Sequence, residues 1–313
     1  MEGQKQYKDR LFCYLFGRED HKDWTLSLYN AVNDSHYTDP DSITIATLRQ
    51  VLYLGMHNDV AFLIADEVNL YEQQSTWNPN MPLRLLQYTG NMYEKLLALE
   101  KRSKFSKSII PLPVPKLVVF YNGRDDAPDE TVLRLSDAFP EEKRMDADIQ
   151  VRVRVININH GRFPSRVLAC QPLREYGWLV DRIRARENKM DLGRAIDLAL
   201  EEMPEDFSIK TILIANQLEV KTMLLTEYNE EREMDLLRAE CRAEGLAEGR
   251  VLGRKEGHIQ GRIQGRKEGE KRGADIILRL FVKLKEAGRE EELVRAAADP
   301  VYLAHLCQEF GIS

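Results

Sequence analysis

Apolar residues along this chain change period several times, and each change predicts an element. Leu11, Phe12, Leu15 and Phe16 recur at helical spacing, so residues 7–16 read as a short amphipathic helix that Gly17 ends. Trp24, Leu26, Leu28 and Val32 repeat the pattern over 21–32, and a polar loop containing Pro40 follows. Residues 43–54 read as a strand or mixed segment leading into 59–75, where two apolar runs predict a hairpin. Val60, Phe62 and Ile64 line one side of its first strand and Ala61 and Leu63 the other, which is the pattern of a strand covered on both faces. Pro82 opens a long amphipathic helix to Glu100, because proline suits a first helical turn. Pro111 to Pro115 forces extended backbone into Lys116–Tyr121, an apolar strand stopped by Asn122-Gly123. Residues 131–135 read as a short strand or arm. Residues 148–158 alternate apolar with Gln150, Arg152 and Arg154, so that strand is expected at a sheet edge with one wet face. Helices are expected over 166–187, 191–203 and 209–227. Helix, strands, helix, strand, strand and helices in this order predict an α/β protein with a central sheet flanked by helices.

The hairpin also carries acids. With a turn at Asp66-Glu67, Asp59 lies opposite Gln74 and Ala61 opposite Glu72. Opposed residues share a sheet face, so Asp59, Glu72 and Gln74 project together, with Asp59 and Glu72 on a diagonal of roughly 7 Å. Two carboxylates at that separation can hold one divalent cation. The plainer alternative makes both acids strand-end charges in ordinary ion pairs.

Glycine falls at 245, 249, 253, 257, 261, 265, 269 and 273. Each helical glycine costs about 0.5–1 kcal/mol relative to alanine. The stripe precesses by roughly 40° per repeat and permits close approach by another helix. A solvated helix, a homo-oligomerising helix through 245–273 and a flexible basic tether all fit this pattern. Short closing helices are expected at 277–293 and 301–310. The resulting divisions are 1–190, a helical extension 191–235, the glycine-repeat helix 236–280 and terminal helices 281–313.

Composition narrows the class. The 43% hydrophobic and 8% aromatic content is enough for a core. Nothing approaches about 18 consecutive apolar residues, so no membrane span is expected and a cytoplasmic location is read. Cys13, Cys170, Cys241 and Cys307 are far apart without a CxxC, which indicates neither a zinc site nor a disulfide framework. The net charge is −6, yet Arg250 to Arg272 holds eight Lys/Arg against three acids, a local +5. Such asymmetry fits a nucleic-acid contact by one segment or a solvated helix.

Asp59, the run Glu72-Gln73-Gln74, a preceding helix with Asp9, a following helix with Arg84 and Tyr88 (MPLRLLQY) and the strand PVPKLVVFYNG together resemble the PD-(D/E)XK nucleases. Over residues 6–230 the chain is similar to the bacterial recombination-promoting nucleases, a transposase-like group in which glycine-repeat tails are common. The resemblance implies a restriction-endonuclease-like mixed sheet and metal-dependent DNA cleavage of low sequence specificity, linked to recombination or transposition. It places Asp59, Glu72 and the backbone carbonyl of Gln73 on Mg²⁺ or Mn²⁺, with Asp59, Glu72 and Gln74 catalytic and Asp9 auxiliary. Gln74 stands where the motif has lysine. A glutamine orients water without adding charge, so Lys95 or Lys116 is a candidate substitute.

Arg84 reads either as a phosphate contact or as a helix-to-sheet salt bridge. Lys101, Arg102, Lys104 and Lys107 read as a solvated loop or a DNA-backbone contact. His57 reads as a base or as a loop residue, and Trp77 and Tyr88 as core. The competing functional class is a catalytically silent DNA-binding or transposition accessory protein assembled through its glycine helix.

Overall fold

The structure is a computed structural model that describes residues 10–45 and 59–312. The chain divides into two units, Met1–Met234 and Asp235–Ser313.

The first unit is built on the hairpin of β1 (Asp59–Ile64) and β2 (Glu67–Gln74). Its two-residue turn is Ala65-Asp66, with φ of 48° and 58°, and not the expected Asp66-Glu67. Two successive left-handed residues make a type I′ turn, whose twist matches that of the strands it joins. Moving the turn back by one residue moves every partner by two, so Asp59 pairs with Glu72 and not with Gln74. The face is unchanged, because positions 59, 72 and 74 remain in step along the pleat. What changes is separation: directly opposed Cα atoms lie about 4.5–5.5 Å apart, closer than a diagonal.

The mixed sheet has the order β1-β2-β3-β5-β4, with β3 at Val114–Tyr121, β4 at Glu130–Arg134 and β5 at Arg152–Asn157. β3 lies parallel to both β2 and β5, whereas β4 runs antiparallel to β5 and forms the edge. The alternating segment is therefore an inner strand and not the expected edge. On its polar face Arg154 donates to the Asn33 side chain at 3.0 Å, while Arg152 at the strand's start is exposed. At the other end, Thr44 and Leu63 exchange backbone hydrogen bonds of 3.0 and 2.9 Å, extending the pairing of β1. Residues 46–54 of the expected strand lie outside the described residues.

Helices cover both faces. α1 (Leu11–Phe16), α2 (Lys22–Asn33) and α4 (Gln171–Glu187) pack on the side of Phe62, Tyr71 and Phe120. Rings of Phe62, Tyr71, Phe120 and Phe12 follow one another with centroids 5.2, 5.4 and 5.2 Å apart. All six α1 residues are buried, so this helix is core throughout and not amphipathic. α3 (Met81–Leu99) carries the chain from β2 to β3 and lays Met81, Leu85 and Met92 on the opposite face, against Val119 and Tyr121. A parallel pair needs such a crossover.

α5 (Leu192–Glu201) and α6 (Lys210–Ala215) close the unit, with α6 held by Glu175. This buried carboxylate accepts from the Ser208 and Ile209 amides at 2.9 and 3.0 Å and from the Ser208 hydroxyl at 2.8 Å. The expected helix over 209–227 is split at Asn216, after which α7 runs through Gln217–Glu286.

In the second unit, the end of α7 packs Leu280 and Leu284 with Ala296 of α8 (Glu292–Ala298) and Leu306 of α9 (Pro300–Glu309). α7 and α8 are separate where one helix over 277–293 was expected. Gly288, at φ 70°, turns the chain after α7, and the Asp299 carboxylate accepts from the Val301 and Tyr302 amides to start α9. Among the described residues no helix is long and apolar enough to cross a membrane.

Phe120 is fully buried in the central strand, in contact with rings on both sides. Phe120→Ala is expected to cost about 3–5 kcal/mol of unfolding free energy. Urea denaturation followed by circular dichroism checks it, and a loss below about 1 kcal/mol would contradict this packing.

Candidate functional site

β2 ends in three consecutive polar residues, and all three are buried. Alternation sends them to different sides. Glu72 and Gln74 project toward α3, while Gln73 projects toward α1 and α4.

Glu72 is 1% exposed. Its Oε1 accepts from Arg84 Nη2 at 2.7 Å and from Gln74 Nε2 at 3.0 Å. Arg84 also donates from Nη2 to the Tyr88 hydroxyl at 3.1 Å and lies 5.7 Å from that ring's centre. Helical spacing puts Met81, Arg84 and Tyr88 on one stripe of α3, and Met81 Sδ lies 2.9 Å from Gln74 Nε2. Glu72 Oε2 is buried and has no hydrogen-bond partner among the described residues. Burial pushes the Glu72 carboxyl above its ordinary value, with Arg84 and Gln74 pulling the other way.

The register sets the strand position of Asp59 directly across from Glu72, and the description of Asp59 covers this backbone pairing alone. Asp9 and His57 lie outside the described residues. Gln74 donates to the carboxylate and to the Met81 sulfur, so its amide nitrogen orients Glu72 and is not directed at a water. Arg84 forms the helix-to-sheet ion pair with Glu72.

Other expected cations sit elsewhere. Lys116 pairs with Glu67 at 2.9 Å at the turn end of the hairpin, on the opposite face of the sheet from Glu72. Lys95 is 11 residues beyond Arg84 on α3, about 16 Å along its axis. Lys101 follows the far end of that helix at φ 53°, about 26 Å from Arg84 along the axis. Arg102 pairs with Glu100 at 3.1 Å and Lys104 with Glu94 at 3.0 Å, so this loop is held by local acids and does not converge on Glu72. Trp77 packs edge-on against Tyr121 with centroids 5.6 Å apart.

The reverse face of β2 holds an arrangement not foreseen from sequence. Gln73 Nε2 donates to Asn122 Oδ1 at 2.6 Å and its Oε1 accepts from Arg10 at 3.4 Å. Asn122 Nδ2 in turn donates to the Tyr176 hydroxyl at 3.2 Å, and Arg10 pairs with Glu230 at 3.5 Å. Beside it, a Cβ on Gly123 would come within 2.3 Å of the Ser75 carbonyl, so glycine is needed where the ends of β2 and β3 meet. Asn122-Gly123 read as a simple strand stop. The signal for more was Gln73 itself, a polar residue in a strand position facing the apolar helices.

Among the described residues no group of three His, Cys, Asp or Glu side chains gathers as a metal site. The residues at the hairpin nonetheless fit a divalent cation. Glu72 offers one carboxylate oxygen oriented by two donors and a second without a partner, opposite another acid's strand position. Hard oxygen donors of this kind suit Mg²⁺ or Mn²⁺. Comparison with known protein families, curated proteins and solved structures finds no match to this chain.

The Glu72 shift has a defined sign. Its folded pKa is raised, so its contribution to stability is full below the ordinary carboxylate range and is lost as pH rises through the raised value. Glu72→Gln is therefore expected to melt higher than wild type at pH 7, by about 2–4 °C for each kcal/mol relieved, and to match it near pH 4. Thermal unfolding at the two pH values checks this. A variant that melts lower at pH 7 would show that the Arg84 pair outweighs the burial.

Proposed function

We propose that this chain is a divalent-metal-dependent DNA endonuclease of the PD-(D/E)XK kind, of low sequence specificity and acting in recombination or transposition. The observation that carries the reading is Oε2 of buried Glu72, which has no hydrogen-bond partner among the described residues and belongs to the residue across the hairpin from Asp59. Unpartnered buried carboxylate oxygens are costly, and such a cost is retained where a site needs the oxygen. Support also comes from element order: a preceding helix, the hairpin, a following helix with Arg84 and Tyr88, and the strand ending in Asn122-Gly123. The mixed sheet between two helical layers is compatible with a restriction-endonuclease-like fold.

In this reading Asp59 and Glu72 hold Mg²⁺ or Mn²⁺, with the Gln73 carbonyl as third ligand. Bound there, the ion lowers the pKa of a water and offsets charge on the scissile phosphate. Gln74 is a positioning residue that fixes the rotation of the Glu72 carboxylate. Arg84 holds Oε1 and leaves Oε2 as the ligand oxygen, and its guanidinium replaces the charge that lysine supplies in the motif. Asp9 remains the auxiliary acid of the proposal.

The second reading, a catalytically silent DNA-binding or transposition accessory protein, is favoured by one contact. Arg84 already neutralises Glu72 at 2.7 Å, which opposes cation binding.

Plasmid nicking separates the two. Cleavage is expected in Mn²⁺ or Mg²⁺ and not in EDTA, and Asp59→Ala or Glu72→Ala is expected to lower it at least about 100-fold. Activity that survives in both variants removes the proposed site, and salt-sensitive DNA binding without cleavage in either metal supports the accessory role.

A further inference from the structure

The last residues of β2 direct their backbone groups to both edges of the strand. The Asp66 and Gln74 carbonyls accept from the amides of Val114, which starts β3, and Asn122, just past its end, at 2.9 and 3.0 Å. Backbone polar groups alternate in direction along a strand, so the even-numbered residues of β2 address β3 and the odd-numbered ones address β1. Gln73 belongs to the second set. The described pairing of β1 with β2 ends at Asp59 and Glu72, so the Gln73 carbonyl points to the β1 side one residue beyond the two acids.

The Gln73 side chain leaves from the sheet face opposite to that of Glu72 and is 2% exposed. Tyr71, two residues back on that face, and Phe120, across on β3, set rings beside it. An amide buried among rings is costly unless its hydrogen bonds are met, and Asn122 meets them. Gln73 Nε2 donates to Asn122 Oδ1 at 2.6 Å, whereas the Arg10 bond to Gln73 Oε1 is long at 3.4 Å, so the tether runs mainly through Asn122.

All four polar groups of Asn122 are engaged. Besides Oδ1, its amide donates to the Gln74 carbonyl, its Nδ2 donates to the Tyr176 hydroxyl at 3.2 Å, and its carbonyl accepts from Arg184. Tyr176 and Arg184 both belong to α4. A buried polar network with every member satisfied is rigid. This one ties Gln73 to a helix as well as to the neighbouring strand, which restricts rotation of the strand end about its own axis and with it the direction of the Gln73 carbonyl.

We propose that Asn122 is a positioning residue for a bound divalent cation, acting through the Gln73 side chain to aim the Gln73 main-chain carbonyl beside Asp59 and Glu72. It rests on the reading of those three residues as metal ligands. Asn122 itself stays on the far face of the sheet and touches no ion. Removing a residue that orients a metal ligand lowers metal affinity by about 10–100-fold.

Mn²⁺ binding by the full chain, read as loss of the free ion's electron paramagnetic resonance signal, tests this without turnover. Asn122→Leu and Gln73→Met keep side-chain volume and remove the tether, and each is expected to raise the Mn²⁺ dissociation constant about 10-fold or more. Leu179→Ala truncates a buried core residue of the same helix and leaves the tether intact, so it is expected to melt lower and keep the wild-type affinity. Wild-type affinity in both tether variants, with binding lost in Asp59→Ala and Glu72→Ala, overturns the role of Asn122 and leaves the metal site standing. Affinity that falls as far in Leu179→Ala as in Asn122→Leu also overturns it, because general loosening then accounts for the loss. A wild-type chain that binds no Mn²⁺, or binding that survives Asp59→Ala and Glu72→Ala, removes the metal site and this role together.

Discussion

A carboxylate buried at the end of a strand is the constraint on which the first unit's arrangement turns. Taking Glu72 out of water costs several kcal/mol unless donors replace the lost hydration. The sheet supplies Gln74 two residues along the same face, and the crossover helix supplies Arg84 one turn after its start. Both donors act on one oxygen. The geometry therefore offsets part of the burial cost and leaves a second oxygen with a defined direction, which differs from an ordinary ion pair in which both oxygens are used. Gln73, between the two, is tied into a separate hydrogen-bonded set with Asn122, Tyr176 and Arg10, so the strand end is fixed from both faces.

The periodic elements were readable from the sequence because burial acts directly on the pattern. Residues 82–100 and 116–121 lie where α3 and β3 form, and the two-sided apolar run from Val60 to Ile64 became a strand with helices on each face. Turn chemistry was less legible. Ala65 is an unusual residue for left-handed backbone, and nothing in its side chain advertises the φ of 48° that sets the register. Because side chains alternate with a period of two, the shared face of Glu72 and Gln74 survived the shift while the identity of Asp59's partner did not.

Position along a helix was the other illegible quantity. Lys101, Arg102 and Lys104 are near the acids in a list of residues, yet α3 separates them from Glu72 by most of its length. Lys116 failed for a different reason, since strand parity places it on the opposite face and its partner Glu67 holds it at the turn. Arg154 looked like a solvent-facing residue on an edge strand and instead reaches inward to Asn33, because β4 takes the edge and α2, which carries Asn33, lies over that face. In each case the decisive information was which strand or helix lies next door, and a single chain read in order does not contain it.

The parallel pairing of β2 with β3 also bears on how the acid site comes into existence. β1 and β2 close a two-residue loop, whereas β2 and β3 are joined across some 40 residues that include all of α3. Loop-closure entropy makes the first contact fast and the second slow. Arg84 reaches Glu72 across only 12 residues, so this partner needs no closure of the β2–β3 pair. Loop length alone therefore ranks the carboxylate's contacts: hairpin neighbours first, Arg84 next, and Val119 of the sheet's centre last.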